Sequence, residues 1–228
     1  MDADRDLIDE QIAYYRARAA EYDATSMPEG DPFEAQADLI RDQLRAFEPG
    51  GRVLELGAGT GQWTAILADG ADDLLVTDAS PEMLEINRAR VGDRSNVRYE
   101  IVDAMAPALP GPFDVVFFSF FLSHVPRGRL PAFWGALEGL LAPGGRVFLV
   151  DEGVHESWSE DWIDREAGIV HRPLTDGTVH RAVKVLWRPA DLADRLRQLG
   201  WDASVQAAGP FYWATASPQR GSVRDTLE

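Results

Sequence analysis

The stretch Val53-Leu54-Glu55-Leu56-Gly57-Ala58-Gly59-Thr60-Gly61-Gln62-Trp63 limits the fold of this chain more than any other. An apolar run ends in three glycines at alternate positions, and a helical pattern begins directly after them. Glycine lets a backbone turn tightly and approach a ligand without a Cβ in the way. The stretch therefore reads as a buried strand passing into a helix across a ligand-binding turn. A dinucleotide fingerprint, Gly-x-Gly-x-x-Gly, would need its third glycine at position 62, where Gln62 stands. The glycines lie instead at 57, 59 and 61, and Glu55 precedes the first by two residues.

Strand and helix patterns alternate from here, the signature of a parallel sheet with helices on both faces. Strands are predicted at 52–56, 74–77, 97–102, 113–120 and 146–150, and helices at 62–68, 81–91 and 130–141. Ser80 caps the second of these helices and Pro81 opens it. The continuously apolar run at 113–120 suits a central strand buried on both faces. Upstream, Ile8, Ile12, Tyr15, Ala19 and Tyr22 recur at helical spacing. Met27, Pro28 and Glu29 fall in the break that follows, and a second helix is expected over 32–47 with Leu39, Ile40, Leu44 and Phe47 on its buried side. Residues 151–180 read as irregular, with a strand at 179–187, a helix at 189–199 and a hairpin of strands near 201–206 and 211–216 after them. This divides the chain into an N-terminal helical cover (1–48), a ligand-binding domain (49–216) with an insertion at 151–188, and a disordered tail (217–228).

The net charge of −16 repels phosphate backbones, so a nucleic-acid partner is not expected. The absence of cysteine excludes thiolate chemistry and disulfides. No apolar run is long enough to span a membrane and the acidic N-terminus is unlike a signal peptide, so a cytoplasmic protein, monomer or homodimer, is the expectation.

Glu55-x-Gly57-x-Gly59-x-Gly61 resembles the first motif of class I S-adenosylmethionine-dependent methyltransferases. The resemblance extends through Thr77-Asp78-Ala79-Ser80-Pro81-Glu82-Met83-Leu84, Val102-Asp103-Ala104, Phe113 to Ser119, and Pro143-Gly144-Gly145. N-terminally, Tyr14-Tyr15-Arg16-Ala17-Arg18-Ala19-Ala20-Glu21-Tyr22-Asp23 is similar to the helix that closes over the cofactor in small-molecule members. It implies a Rossmann-like, doubly wound, mostly parallel seven-stranded sheet with a C-terminal antiparallel hairpin, N-terminal helices over the cofactor, and S-adenosyl-L-methionine bound at the sheet edge.

By that resemblance, the backbone at Gly57, Ala58, Gly59 and Gly61 meets the amino-acid end of the cofactor, and Glu55 supports it. Asp78, with Ala79 beside it, is placed to accept hydrogen bonds from ribose hydroxyls; its alternative role is a helix cap. Met83 packs on the adenine or simply in the core. Asp103 and the Ala104 amide take the adenine edge, and Ser119 leads to the transfer site. Tyr14 and Arg18 bind the methionine carboxylate or belong to a packed helix.

Methyl transfer to a hydroxyl needs alignment and a proton acceptor. His124, after the fourth strand, is the first candidate base; its other reading is a histidine bonded to loop backbone or stacked near the cofactor. Asp151, Glu152 and His155 follow the fifth strand and can orient the acceptor or serve as base. A divalent metal there is conceivable, but no metal is expected. His171, His180, Trp158, Trp162 and Trp187 are assigned to a lid over the acceptor, whereas Trp201, Phe211 and Tyr212 belong to the hairpin core, with Trp213 the exception among them. Nucleic-acid base methyltransferases carry Asn/Asp-Pro-Pro-aromatic after the fourth strand; Ser119-Phe120-Phe121-Leu122 does not match. The expected reaction is O-methylation of a small molecule. The alternatives are N- or C-methylation and a family fold that binds the cofactor without transferring methyl.

Overall fold

A computed structural model describes residues 3–26, 30–156 and 159–219. Met27, Pro28, Glu29 and Trp158 lie outside the described residues, as does all of the expected tail beyond 219.

The N-terminal region forms α1 (Ala3–Arg18), a 3-10 turn, α2 (Tyr22–Ser26) and α3 (Glu34–Ala46). Next come β1 (Arg52–Leu56), α4 (Thr64–Gly70), β2 (Asp73–Asp78), α5 (Pro81–Val91) and β3 (Val97–Ile101). The second half holds β4 (Phe113–Ser119), α6 (Leu130–Leu140), β5 (Leu141–Glu152), β6 (Trp162–Asp164), β7 (Ile169–Pro173) and β8 (Val179–Val183). It ends in α7 (Pro189–Gln198), β9 (Trp201–Ala208) and β10 (Phe211–Pro218).

Seven strands make one sheet in the order β3-β2-β1-β4-β5-β10-β9. β1 to β5 are mutually parallel, and β10 runs antiparallel to both β5 and β9. Strand order reverses between β1 and β4, which opens a crevice at their carboxyl ends. The glycine turn follows β1 and Ser119 ends β4, so both reach that crevice. Phe117 and Phe118, consecutive on β4, point to opposite faces and anchor one core cluster each. Phe118 packs with Phe133 and Trp134, and Trp134 meets Trp201 at 4.7 Å. Phe117 stacks on Phe148, and Phe148 on Trp213 at 5.6 Å. Trp213 is thus a packing residue, as its hairpin neighbours are.

Several expectations change. The expected tail starts too early, since Ser217 and Pro218 close β10 opposite Asp202 and Trp201. The strand expected at 179–187 ends at Val183, and the helix expected at 62–68 runs from Thr64 to Gly70. Leu39 is 49% exposed, because Ala37, Ile40 and Leu44 form the buried stripe of α3. β5 is longer than residues 146–150, since β10 pairs along it as far as Glu152 and a bulge near Phe113 lets Leu141 join the ladder. The segment 151–180 is not irregular: β6, β7 and β8 form a separate antiparallel sheet. Its hairpin turns at Asp176-Gly177, with Gly177 at φ 88° and the Leu174 amide bonded to the Thr178 carbonyl at 2.8 Å. Asp-Gly between two extended runs is a hairpin signal.

Candidate active site

Of the three glycines, two serve packing. A Cβ on Gly61 would stand 2.8 Å from the Asn87 side chain, and one on Gly57 would stand 3.0 Å from Phe121. Gly59, at φ 54°, faces open space and lines a cavity in the crevice. Asp78 stands opposite, accepting the Gly59 amide at 2.9 Å and the Ser80 amide at 2.8 Å. Ser80 is the true cap of α5, its hydroxyl accepting from the Met83 amide at 3.1 Å. Burial raises the Asp78 carboxyl pKa against the pull of those amides.

This first cavity also takes in Gly57, Ala79, Met83 and Ser119, and at its far end Asp103 and Ala104. Asp103 bonds the Met105 amide at 2.9 Å. Ala58 and Gly61 do not line it; Ala58 is buried and bonds the Thr77 carbonyl.

Glu55 lies behind the turn, 1% exposed, with neither carboxylate oxygen hydrogen-bonded among the described residues. Burial pushes its carboxyl up to about 8. The folded chain therefore holds a proton that the unfolded chain releases near 4.5, and stability falls as pH climbs from about 4.5 to about 8. At roughly 1.4 kcal/mol per pKa unit the loss is a few kcal/mol. Glu55→Gln, which cannot ionise, should flatten this decline. Melting temperatures from pH 5 to 9 test it; parallel curves for the two proteins would contradict it.

α1 closes over the cavity with Ile8, Gln11 and Ile12. Tyr14 and Arg18 are directed elsewhere, into a second, wider cavity. There the Arg18 guanidinium rests 4.8 Å from the Tyr22 ring centre and donates to the Thr25 and Ser26 hydroxyls, both at 2.9 Å. Two ion pairs face the same space: Arg172 with Glu160, bidentate at 2.5 and 3.1 Å, and Lys184 with Glu152.

Tyr15, Tyr22, Phe120 and His124 line both cavities. His124 is 7% exposed and sits in a 3-10 turn after β4. Its Nδ1 lies 2.7 Å from the Val183 carbonyl, which only accepts, so Nδ1 carries the proton. Nε2 is then the acceptor, and the Tyr15 hydroxyl donates to it at 2.8 Å. Burial lowers the His124 pKa well below 6.5, with Lys184, Arg172 and Arg18 adding to the effect. Burial likewise holds the Tyr15 phenol well above 10. Phe120 adopts φ 50°, a strained conformation for a side chain of its size. Tyr15 carried a periodicity signal for burial, but no sequence signal marked it as a partner of His124.

Asp151 reaches neither cavity. It is fully buried, and its oxygens accept the Ser123 amide at 2.8 Å and the Glu152 amide at 2.7 Å. Glu152, by contrast, lines the second cavity. His155 stacks edge-on to Phe33 at 6.0 Å, and His180 lies 5.8 Å from Tyr14. His171 pairs with Asp161 at the surface, while Trp162 and Trp187 lie beneath Arg165 and Arg127. Among the described residues, no three of His, Asp and Glu converge as a metal-holding group, and no helix is long and apolar enough to cross a membrane.

A model of the methyltransferase domain family matches residues 53–145. A ubiquinone biosynthesis O-methyltransferase of Xanthomonas euvesicatoria pv. vesicatoria is 31% identical over 155 residues, which cover 66% of this chain and 62% of that protein. Phosphoethanolamine N-methyltransferase 1 of Arabidopsis thaliana is 27% identical over 144 residues, covering 62% of this chain and 27% of the relative. The chain thus spans less than two thirds of the length of these curated relatives. The solved complex of DhpI with SAH is 40% identical, with a TM-score of 0.82 over 94% of this chain and 98% of DhpI. A DhpI-SAM-HEP complex matches almost as well, at 39% identity and a TM-score of 0.81, covering 93% of this chain and 98% of that one. With the open cradle at Gly59 and the carboxylates of Asp78 and Asp103 on one cavity, these likenesses place the chain in the class I S-adenosylmethionine-dependent methyltransferases, with S-adenosyl-L-methionine as its cofactor.

Proposed function

We propose that the protein methylates an oxygen of a small hydroxylated molecule, with the Tyr15–His124 pair taking the hydroxyl proton. The observation that carries this reading is that both side chains line the two cavities at their junction. The cofactor supplies an electrophilic methyl group when bound. Asp78 suits the ribose hydroxyls, Asp103 and the Ala104 amide the adenine edge, and Met83 a ring face. Tyr14 and Arg18, beyond the junction, suit the amino-acid carboxylate.

The proton route follows from the hydrogen bonds. While Tyr15 occupies Nε2, the imidazole has no lone pair to offer an acceptor directly. A hydroxyl that donates to the Tyr15 oxygen passes its proton there as the Tyr15 proton moves to Nε2. Both transfers go together, because a buried phenolate is costly. Lys184 and Arg172 are paired with Glu152 and Glu160, whereas Arg18 is held by the Thr25 and Ser26 hydroxyls; its charge opposes a cationic amine near this place and favours an oxygen that develops negative charge, which sets oxygen ahead of nitrogen. The ubiquinone O-methyltransferase relative supports the same choice.

Incubation with radiolabelled cofactor and a panel of phenols, hydroxy acids, sugars and amines tests the reading, with the methylated atom located by mass spectrometry. Label on oxygen is expected; label on amines alone would sink the assignment. Asp78→Ala should weaken S-adenosylhomocysteine binding by about 1.5–3 kcal/mol, through lost charge-assisted hydrogen bonds and a loosened Gly59 amide. Calorimetry giving unchanged affinity would remove Asp78 from the cofactor site.

A further inference from the structure

We propose that Asp151 is a positioning residue, whose buried carboxylate fixes the turn that carries His124; its bearing on the reaction rests on the proton role just assigned to that histidine. Residues Leu122–His124 form a single 3-10 turn, closed by the His124 amide on the Phe121 carbonyl at 2.9 Å and the Val125 amide on the Leu122 carbonyl at 3.1 Å. So short a 3-10 segment has poor hydrogen-bond geometry and does not hold its own shape. External clamps do so. From the insertion, the Val185 amide donates to the Ser123 carbonyl at 2.7 Å, and from α1 the Gln11 amide group donates to the His124 carbonyl at 3.3 Å. From the central sheet, the clamp is Asp151 at the end of β5, accepting the Ser123 amide.

A fully buried carboxylate is a costly way to satisfy two amides, and burial pushes this one up to about 6 despite them. The groups facing it are Lys184 next to β8, Glu152 beside it on β5, and the Tyr212 phenol on β10. The Tyr212 hydroxyl and the Ser123 hydroxyl are both buried without a hydrogen-bond partner among the described residues, so neither holds the turn. Asparagine would keep the shape of Asp151 but not its function. Its single oxygen can accept one of the two amides, and its NH₂ group is turned against the other.

The test uses the full chain saturated with S-adenosylhomocysteine and labelled with ¹⁵N in the backbone and the histidine rings. In the wild type, the Ser123 amide should titrate near pH 6, and the His124 ring nitrogens should shift in step with it. In Asp151→Asn that step should vanish and the preference for the Nδ1–H form should weaken. Turnover of the acceptor found in the panel should fall roughly 10–100-fold, as for a displaced catalytic group, with KM and cofactor affinity little changed. Ser123→Ala keeps the amide and should behave as wild type. His124 nitrogens that ignore pH between 5 and 7 in the wild type would overturn the proposal, even if Asp151→Asn does not fold. Altered His124 signals with wild-type turnover would uphold the hold of Asp151 on the turn and remove His124 from the proton transfer.

Discussion

Alanine at position 124 is expected to lower turnover roughly 10²–10⁴-fold while S-adenosylhomocysteine affinity stays nearly unchanged. The loss has one source: the acceptor hydroxyl keeps its proton. Tyr15→Phe breaks the same route but leaves the Nε2 lone pair free, so its loss should be no larger. If the two losses add in the double variant, Tyr15 and His124 are not in series. The pH profile gives a second check. Imidazolium cannot accept a proton, so activity depends on neutral His124. Its pKa is held well below 6.5, so the acid limb it causes lies well below 6.5 too. A limb centred at 6.5 or higher would mean that the ring is solvated and out of the geometry described. A loss smaller than tenfold in His124→Ala would take proton transfer away from this residue.

Gly59→Val should abolish cofactor binding in calorimetry, a loss of at least about 100-fold, or about 2.7 kcal/mol. Two effects combine. The backbone at φ 54° is one that a β-branched residue resists, and the new side chain would project into the cavity that the glycine now leaves open. The contrast with Gly61 makes the experiment informative. A side chain at Gly61 meets Asn87 and disturbs the packing of α5, so its effect would mix folding with binding. At Gly59 no protein atom lies within 4 Å of the added Cβ. Gly59→Val that folds, melts near the wild type and still binds would mean that the cofactor lies elsewhere.

The central sheet was legible in the sequence because its signals are local. β1 and α5 have the predicted bounds, the first from an apolar run broken by Glu55 and ending in glycine, the second from Ser80 and Pro81 at its start. Of the small sheet only the strand beginning at Val179 was legible, because Val170, Ala182 and Val183 are buried while His171, Arg172, His180 and Arg181 stand among them. The resulting alternation is too weak to read, although Asp176-Gly177 marked the turn. Eight of the thirteen expected cofactor residues line the first cavity, seven set by the ends of β1 to β4 and Met83 by the first turn of α5. Tyr14 and Arg18 line the second cavity instead, because the angle at which α1 crosses the sheet edge decides which cavity each helical face meets. No periodicity encodes that angle. Asp151 was identified as chemically special for a sound reason, an acid at the end of a central strand, but which way it points is a property of the packed structure.

The Gln11 side chain donates to the His124 carbonyl and accepts from the Val183 amide at 2.9 Å, and Glu10 accepts from the amide and guanidinium of Arg181 at 2.6 and 2.8 Å. α1 and β8, some 170 residues apart in the chain, are therefore a single mechanical piece. The consequence concerns inheritance and transplantation of specificity. A chimera that takes the first 26 residues from one relative and the small sheet from another would sever these bonds and lose its grip on His124. Exchanged together, the two segments form one cassette that keeps these bonds and is expected to leave His124 in place.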